Sequence, residues 1–238
     1  MPSRRPPANT AALKSAAPTR AARGGVNGTT RASLLEAAIK LFLAKGYASV
    51  SVLEIANKVG AFPNHITYHF GGKEPLFVEA ASRAMLRAAK HAEDITRDSE
   101  TAEVHTRRLI GDLLGPGAPA VMLFADAMLF ARQRPELQEI VRGTLTRLNE
   151  AGESAMEDTL RRTGWDNVAS PRIITRSFWA AIFGLALEKA AMGDVFEQES
   201  AEAVAYIMIA LNRDSKLATL ASSPGGDGRR SRQKLGRR

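Results

Sequence analysis

From Pro75 almost to residue 212 the apolar side chains recur every three or four residues, and no segment alternates convincingly as a β-strand does. That periodicity commits the chain to an all-α fold whose helix limits are marked by glycine and proline. The spacing predicts helices over about 75–97, 101–114, 118–133, 135–163, 170–193 and 197–212. Gly115-Pro116-Gly117 interrupts the series, and Gly164 stops the helix that Pro135 opens. Ser170-Pro171 is an N-cap followed by proline at the first helical position, where its fixed φ and missing N–H cost nothing.

A shorter pattern precedes this body. Leu35, Ala38, Leu41 and Phe42, widened by Leu34 and Ile39, form one stripe of a helix starting near Thr30 and ending at Gly46. Ser51-Val52-Leu53-Glu54 reads as a capping box for a second helix, with Val50 and Ile55 placed as a hydrophobic staple. Gly60 ends that helix after about two turns, so the chain must reverse sharply. Pro63 is expected to open a third helix in which Ile66 and Phe70 pack inward, leaving Asn64, His65, Thr67, Tyr68 and His69 on the other faces. Three short helices of this shape offer a helix end to a DNA groove.

The run Gly60-Ala61-Phe62-Pro63-Asn64-His65-Ile66-Thr67-Tyr68-His69-Phe70-Gly71-Gly72-Lys73-Glu74, preceded by Gly46-Tyr47 and Ile55-Ala56 at matching offsets, resembles the TetR family of bacterial one-component transcriptional regulators. The motif covers roughly 50 of the 238 residues; the rest is similar only in helix number and length. The resemblance implies base-edge contacts from Pro63, Asn64 and His65, and phosphate contacts from Thr67, Tyr68, His69 and Lys73. Ser51 and the amide end of the second helix would add a phosphate clamp, which the helix dipole favours. Asparagine can read adenine with two hydrogen bonds, and histidine can donate to guanine. The chain departs from the family at Phe62, where a small polar cap is usual, so the entry to the third helix is expected to rest on apolar packing. It also departs at Thr67, where an aromatic is frequent.

The formal charge of +8 is unevenly spread. Residues 1–28 carry +5, residues 29–73 carry +3, residues 74–212 carry −6, and residues 213–238 carry +6. The chain therefore divides into a basic tail (1–28) expected to be disordered, a helix-turn-helix DNA-binding domain (29–74), a larger helical ligand-binding and dimerisation domain (75–213), and a second basic tail (214–238). Basic tails can add nonspecific phosphate attraction or simply aid solubility. No apolar region follows the N-terminal arginines as in a signal peptide, and no run of about 18 uncharged apolar residues suggests a membrane span. The absence of cysteine removes disulfides and thiol catalysis, and fits a cytoplasmic, nucleoid-associated protein. His65 and His69 lie four apart, but without cysteine or a well-placed carboxylate they make an incomplete metal set. No metal and no cofactor are expected.

The last two helices carry a different signal. The run from Phe178 to Leu187 is apolar on every face, and the run from Ala203 to Leu211 nearly so, which implies burial on every face. One face can pack internally, and the other is expected to meet a second copy. Phe178, Ala181, Ile182, Gly184, Leu185, Tyr206 and Ile207 are the candidate dimer interface, with Ala180, Ala181, Gly184 and Ala191 permitting close approach; a purely internal core role gives the same pattern. The family resemblance implies the same four-helix interface. Met85, Met122, Phe124, Met128, Phe130, Trp179 and Phe183 are candidate lining for a cavity that takes an apolar or aromatic effector.

Together these features predict a homodimeric regulator, most simply a repressor, that binds a palindromic operator and is released by a small molecule. Two other classes fit parts of the sequence. One is a DNA-binding or architectural protein without an effector, and the other a helical enzyme or small-molecule carrier. His91 and His105 are the only histidines outside the head, and neither forms a recognisable acid-base pair with a nucleophile. No enzymatic activity is expected.

Overall fold

The computed structural model describes residues 26–165, 169–193 and 198–213; both basic tails lie essentially outside the described residues. The described residues form helices throughout: α1 (Val26–Lys45), α2 (Val52–Lys58), α3 (Pro63–Phe70), α4 (Lys73–Thr96), α5 (Ala102–Leu114), α6 (Ala118–Ala131), α7 (Pro135–Thr163), α8 (Pro171–Met192) and α9 (Gln198–Arg213). Most limits fall within two residues of the expected ones; α1 begins four residues earlier than Thr30.

The stop signals act as their chemistry requires. Gly46, Gly60 and Gly164 adopt φ of 73°, 65° and 68°, the left-handed region that costs other residues a Cβ clash. Ser51 caps α2, its Oγ accepting from the Glu54 amide at 3.0 Å, and Val50 and Ile55 are both buried as a staple should be. The Glu54 carboxylate also faces the Ser51 backbone N–H, the other half of the capping box, and takes a hydrogen bond from Lys45 Nζ at 2.6 Å. That hydrogen bond is the main reason Glu54 sits below its ordinary pKa.

α4 is the axis of the molecule. It packs on α1, α3, α5, α6 and α7. The face bearing Leu76, Phe77, Ala80, Ala81, Ala84, Met85 and Ala92 is buried. Each large side chain there removes enough apolar surface from water to contribute about 1.5–3 kcal/mol. Two cross-helix pairs clamp α1 to α4: Arg31 to Glu79 at 2.6 Å, and the Arg87 guanidinium forked onto Glu36. All four side chains keep substantial water contact, so each pair contributes about 0–1 kcal/mol. Their effect is orientation more than stability.

In the body, α8 packs on α5, α6 and α7, and α9 on α5 and α8. α7 and α8 pack closely at Gly152, where an added Cβ would stand 2.6 Å from Thr175 Cγ2. A hydrogen bond from Trp179 Nε1 to the Leu148 carbonyl, 3.2 Å long, pins the same crossing. No single described helix is long and apolar enough to cross a membrane.

Candidate nucleic-acid interface and a buried cavity

α3 is anchored by one fully buried residue, Ile66, and by the half-buried ring of Phe70, over which Arg31 lies at 4.6 Å. With that face held, Pro63, Asn64, Thr67 and Tyr68 are exposed, Tyr68 to 75%, while His65 and His69 are half-buried. The rings form an edge-to-face chain along the helix: Phe62 to His65 at 6.0 Å, His65 to His69 at 6.3 Å, and Tyr68 to His69 at 5.0 Å. Such contacts limit ring rotation without covering the polar atoms. His65 Nδ1 is buried without a hydrogen-bond partner among the described residues.

The entry to α3 corrects one expectation. Phe62 does not pack inward; it is 71% exposed and makes no side-chain cap. The turn is held by its backbone instead, Ala61 N donating to Ala56 O at 2.9 Å and His65 N to Phe62 O at 3.0 Å, with Pro63 supplying a preset φ. An exposed phenyl ring beside Pro63 can reach a thymine methyl, so Phe62 joins the candidate reading surface. In the sequence this position reads only as a missing cap.

At the far end of α3, Gly71 takes φ of 83° and returns its amide to Thr67 O. The chain then enters α4 at Lys73. The Lys73 ammonium rests 4.1 Å over the ring of Tyr47, a cation–π contact that aims the side chain before any phosphate arrives. Tyr47 also touches Phe77 and Phe130, at 4.7 and 5.1 Å, and burial raises its pKa, so the phenol stays neutral. Beside it Arg134 covers the Phe130 ring at 4.5 Å and pairs with Glu74. Head and body are therefore joined by a cluster from the α1–α2 turn, α4, α6 and the start of α7. Phe130, expected to line a ligand cavity, belongs to this junction.

Ser51 stands exposed at the start of α2; its oxygen is occupied by the Glu54 amide, but its hydroxyl proton remains available to an anion. Candidate base-reading and phosphate-contacting groups thus come from α2, α3 and the first residue of α4.

The body contains an apolar cavity of about 190 Å³ between α4, α5, α7 and α8, with Met208 of α9 also in its wall. Of the seven residues expected to line a cavity, only Trp179 does. Met85 and Phe124 are fully buried in the packed core. Phe183 stacks behind the wall, 6.2 Å from Trp179 and 5.9 Å from Phe124. Met122 is partly buried against the core, and Met128 borders a separate surface depression between α6 and α7. The reason is volume: large side chains at close-packed positions fill space. Space remains where side chains are small, here Ala89 of α4 and Ala151, Gly152 and Ala155 of α7, facing Leu86, Leu109, Met156, Ile174 and Phe178. Gly152 and its alanine neighbours were the signal that could have located the cavity.

The interface candidates divide similarly. Ile182 and Leu185 are buried within the protomer, Phe178 forms part of the cavity wall, and Ala181 is half-buried. Gly184, Tyr206 and Ile207 are exposed, and Ile173, Leu187 and Met192 extend the same apolar surface along α8.

Three helices ending in a short, exposed reading helix, joined by a long helix to a helical body with a cavity, define a helix-turn-helix DNA-binding transcriptional regulator. Residues 34–80 match the model of bacterial regulatory proteins of the tetR family, and residues 102–208 match the model of a bacterial transcriptional repressor C-terminal region. A transcriptional regulator from Rhodococcus sp. RHA1 is 44% identical over 77% of this chain and 97% of that one, with a TM-score of 0.70. The chain belongs to the TetR family. A TetR-family regulator from Pectobacterium atrosepticum shares the fold at 20% identity and TM-score 0.61, covering 82% of this chain and 98% of that one. A regulator from Saccharomonospora viridis, in complex with choline, does so at 19% identity and TM-score 0.58, covering 78% and 97%. No curated protein matches the chain.

Proposed function

We propose that the protein is a homodimeric repressor that binds a palindromic operator through α3 and is released when a small molecule enters the body cavity. One observation carries this reading: a single helix, α4, serves both sites. Its first residue is Lys73, behind the reading helix, while Leu86, Ala89, Lys90 and Glu93 of the same helix line the cavity. A ligand that favours one tilt of α4 changes the spacing of the two reading helices away from the roughly 34–36 Å that separates successive major grooves. Release needs only differential affinity for the two states, on the order of 1–3 kcal/mol of coupling.

The dimer is supported by exposed apolar residues on neighbouring α8 and α9, including Ile173, Leu187, Tyr206 and Ile207, which an isolated protomer would leave in water. The choline complex of the Saccharomonospora viridis regulator makes small-molecule control a reasonable reading for a chain of the same fold. The test is a gel-shift titration on operator DNA with the cavity filled by substitution, Ala155→Phe. If occupancy controls DNA, this variant shows altered operator affinity in the absence of any ligand. Unchanged affinity together with unchanged folding would instead favour a DNA-binding protein without an effector.

A further inference from the structure

Of the polar side chains in the cavity wall, Lys90, Glu93, His105 and Thr106 gather where the last turns of α4 meet the start of α5, while Thr175 of α8 stands beside Gly152. Resting on the effector reading above, we infer that the cavity takes a compact, uncharged apolar molecule that donates one hydrogen bond, an alcohol or phenol, and that His105 Nε2 is the acceptor that selects it.

Size sets the first limit. A void of about 150 Å³ in a protein core holds a benzene ring, so one of 190 Å³ holds a single ring with a short substituent. The walls of leucine, methionine, Phe178 and Trp179 suit such a body. Trp179, the one indole in the wall, has already committed its N–H to the Leu148 carbonyl.

The head group is decided by the tautomer of His105. Its Nδ1 lies 3.1 Å from the Thr96 carbonyl oxygen, which can only accept, so Nδ1 carries the proton. Thr96 is itself fixed, its hydroxyl donating to Ala92 O at 2.8 Å and Glu93 O at 3.1 Å, and Trp165 packs edge-on against the imidazole at 6.1 Å. The ring is thus held with Nε2 as an acceptor, and Nε2 has no partner among the described residues. Burial lowers the pKa of His105, which keeps the ring neutral at pH 7 and preserves that lone pair.

The charges at this end weigh against an anionic head group. Lys90 pairs with Asp94 at 3.1 Å, Arg97 with Glu93 and Asp94 at 3.4 and 3.6 Å, and Arg162 donates to the Arg97 carbonyl. A carboxylate ligand would find these cations engaged and would face Glu93 and a neutral acceptor. A quaternary ammonium has no proton to donate to Nε2.

Isothermal titration of the full-length protein with four probes of one ring each tests this: 4-ethylphenol, ethylbenzene, 4-ethylbenzoate and phenyltrimethylammonium. The phenol is expected to bind about tenfold tighter than ethylbenzene, as one net hydrogen bond implies, with the two ions weaker than either. His105→Phe should bring the phenol down to the hydrocarbon, while His105→Gln, which keeps an acceptor, should retain part of the preference. Ala155→Phe should abolish binding of all four. The inference is overturned if an ion binds tightest, if the phenol preference survives His105→Phe, if Ala155→Phe leaves binding intact, or if no probe binds. A His105-dependent phenol preference with no change in operator affinity would uphold the inference and remove the effector reading instead.

Discussion

The head and the body of this regulator present opposite solutions to recognition. The head displays its chemistry outward: a single buried anchor, Ile66, leaves Phe62, Asn64, Thr67 and Tyr68 in solvent. The body encloses its chemistry where side chains are too small to meet across the α4–α7–α8 junction. A surface that reads a macromolecule is made by what protrudes, and a site for a small molecule by what is missing. The two also differ in how they are stabilised. The head depends on glycine turns, one staple and exposed ion pairs to α4, whereas the body depends on long helices with continuous apolar faces.

The contrast is most strongly tested at the exposed face of the body. A methyl group added at Gly184 would meet nothing within 4 Å among the described residues, so Gly184→Arg should leave the protomer folded. If that face is covered by a second copy, the buried unpaired charge should cost association about 3–5 kcal/mol. Sedimentation at micromolar protein should then show monomer where the parent shows dimer, and an unchanged dimer would place the interface elsewhere.

The head is next. Asn64→Ala and His65→Ala should each reduce discrimination between operator and altered sites by about 1–3 kcal/mol, whereas Lys73→Ala should weaken all DNA alike. Tyr47→Leu, which removes the ring under Lys73 but not its charge, should resemble a milder Lys73→Ala. Competition binding on specific and random duplexes separates these outcomes. Equal losses on both duplexes for Asn64 and His65 would mean that α3 holds the backbone without reading bases.

Within the body, Trp179→Phe removes the hydrogen bond to Leu148 O while keeping an aromatic wall, and should cost about 1 kcal/mol in urea unfolding. No change would show that this bond does not secure the α7–α8 crossing.

The smallest effect concerns pH. Burial holds His105 below its ordinary pKa of 6.5, so the unfolded chain takes up a proton that the folded chain resists. Stability is therefore complete above pH 6.5 and declines as pH falls from there towards the folded value. His105→Gln should flatten that decline in melts at about pH 7 and pH 5, on either side of the unfolded value. An identical decline would mean the histidine is not held neutral.

The head was legible in the sequence because its signals are local. Ser51, Gly60, Pro63 and the spacing of Ile66 and Phe70 act over one or two turns, and each appears in the structure where expected. Phe62 escaped because its exposure depends on the angle at which α3 leaves the turn, which no local pattern encodes. The helices of the body were legible for the same reason, but the cavity was not. Its walls come from five helices far apart in the chain, and periodicity marks which faces are buried without saying which buried faces fail to touch. Ile182 and Leu185 illustrate the limit: a helix apolar all round announces two buried faces, and only the packing of α5, α6 and α7 decides which one is internal.

The central claim is that a two-fold dimer reads DNA through α3. Selection of binding sites from a random duplex library by the purified protein tests it most directly. The account predicts an inverted repeat whose half-sites are centred about one helical turn, or a whole multiple of it, apart, and whose base preferences relax with Asn64→Ala or His65→Ala. Enrichment of a single asymmetric half-site, or of no sequence at all, would contradict it.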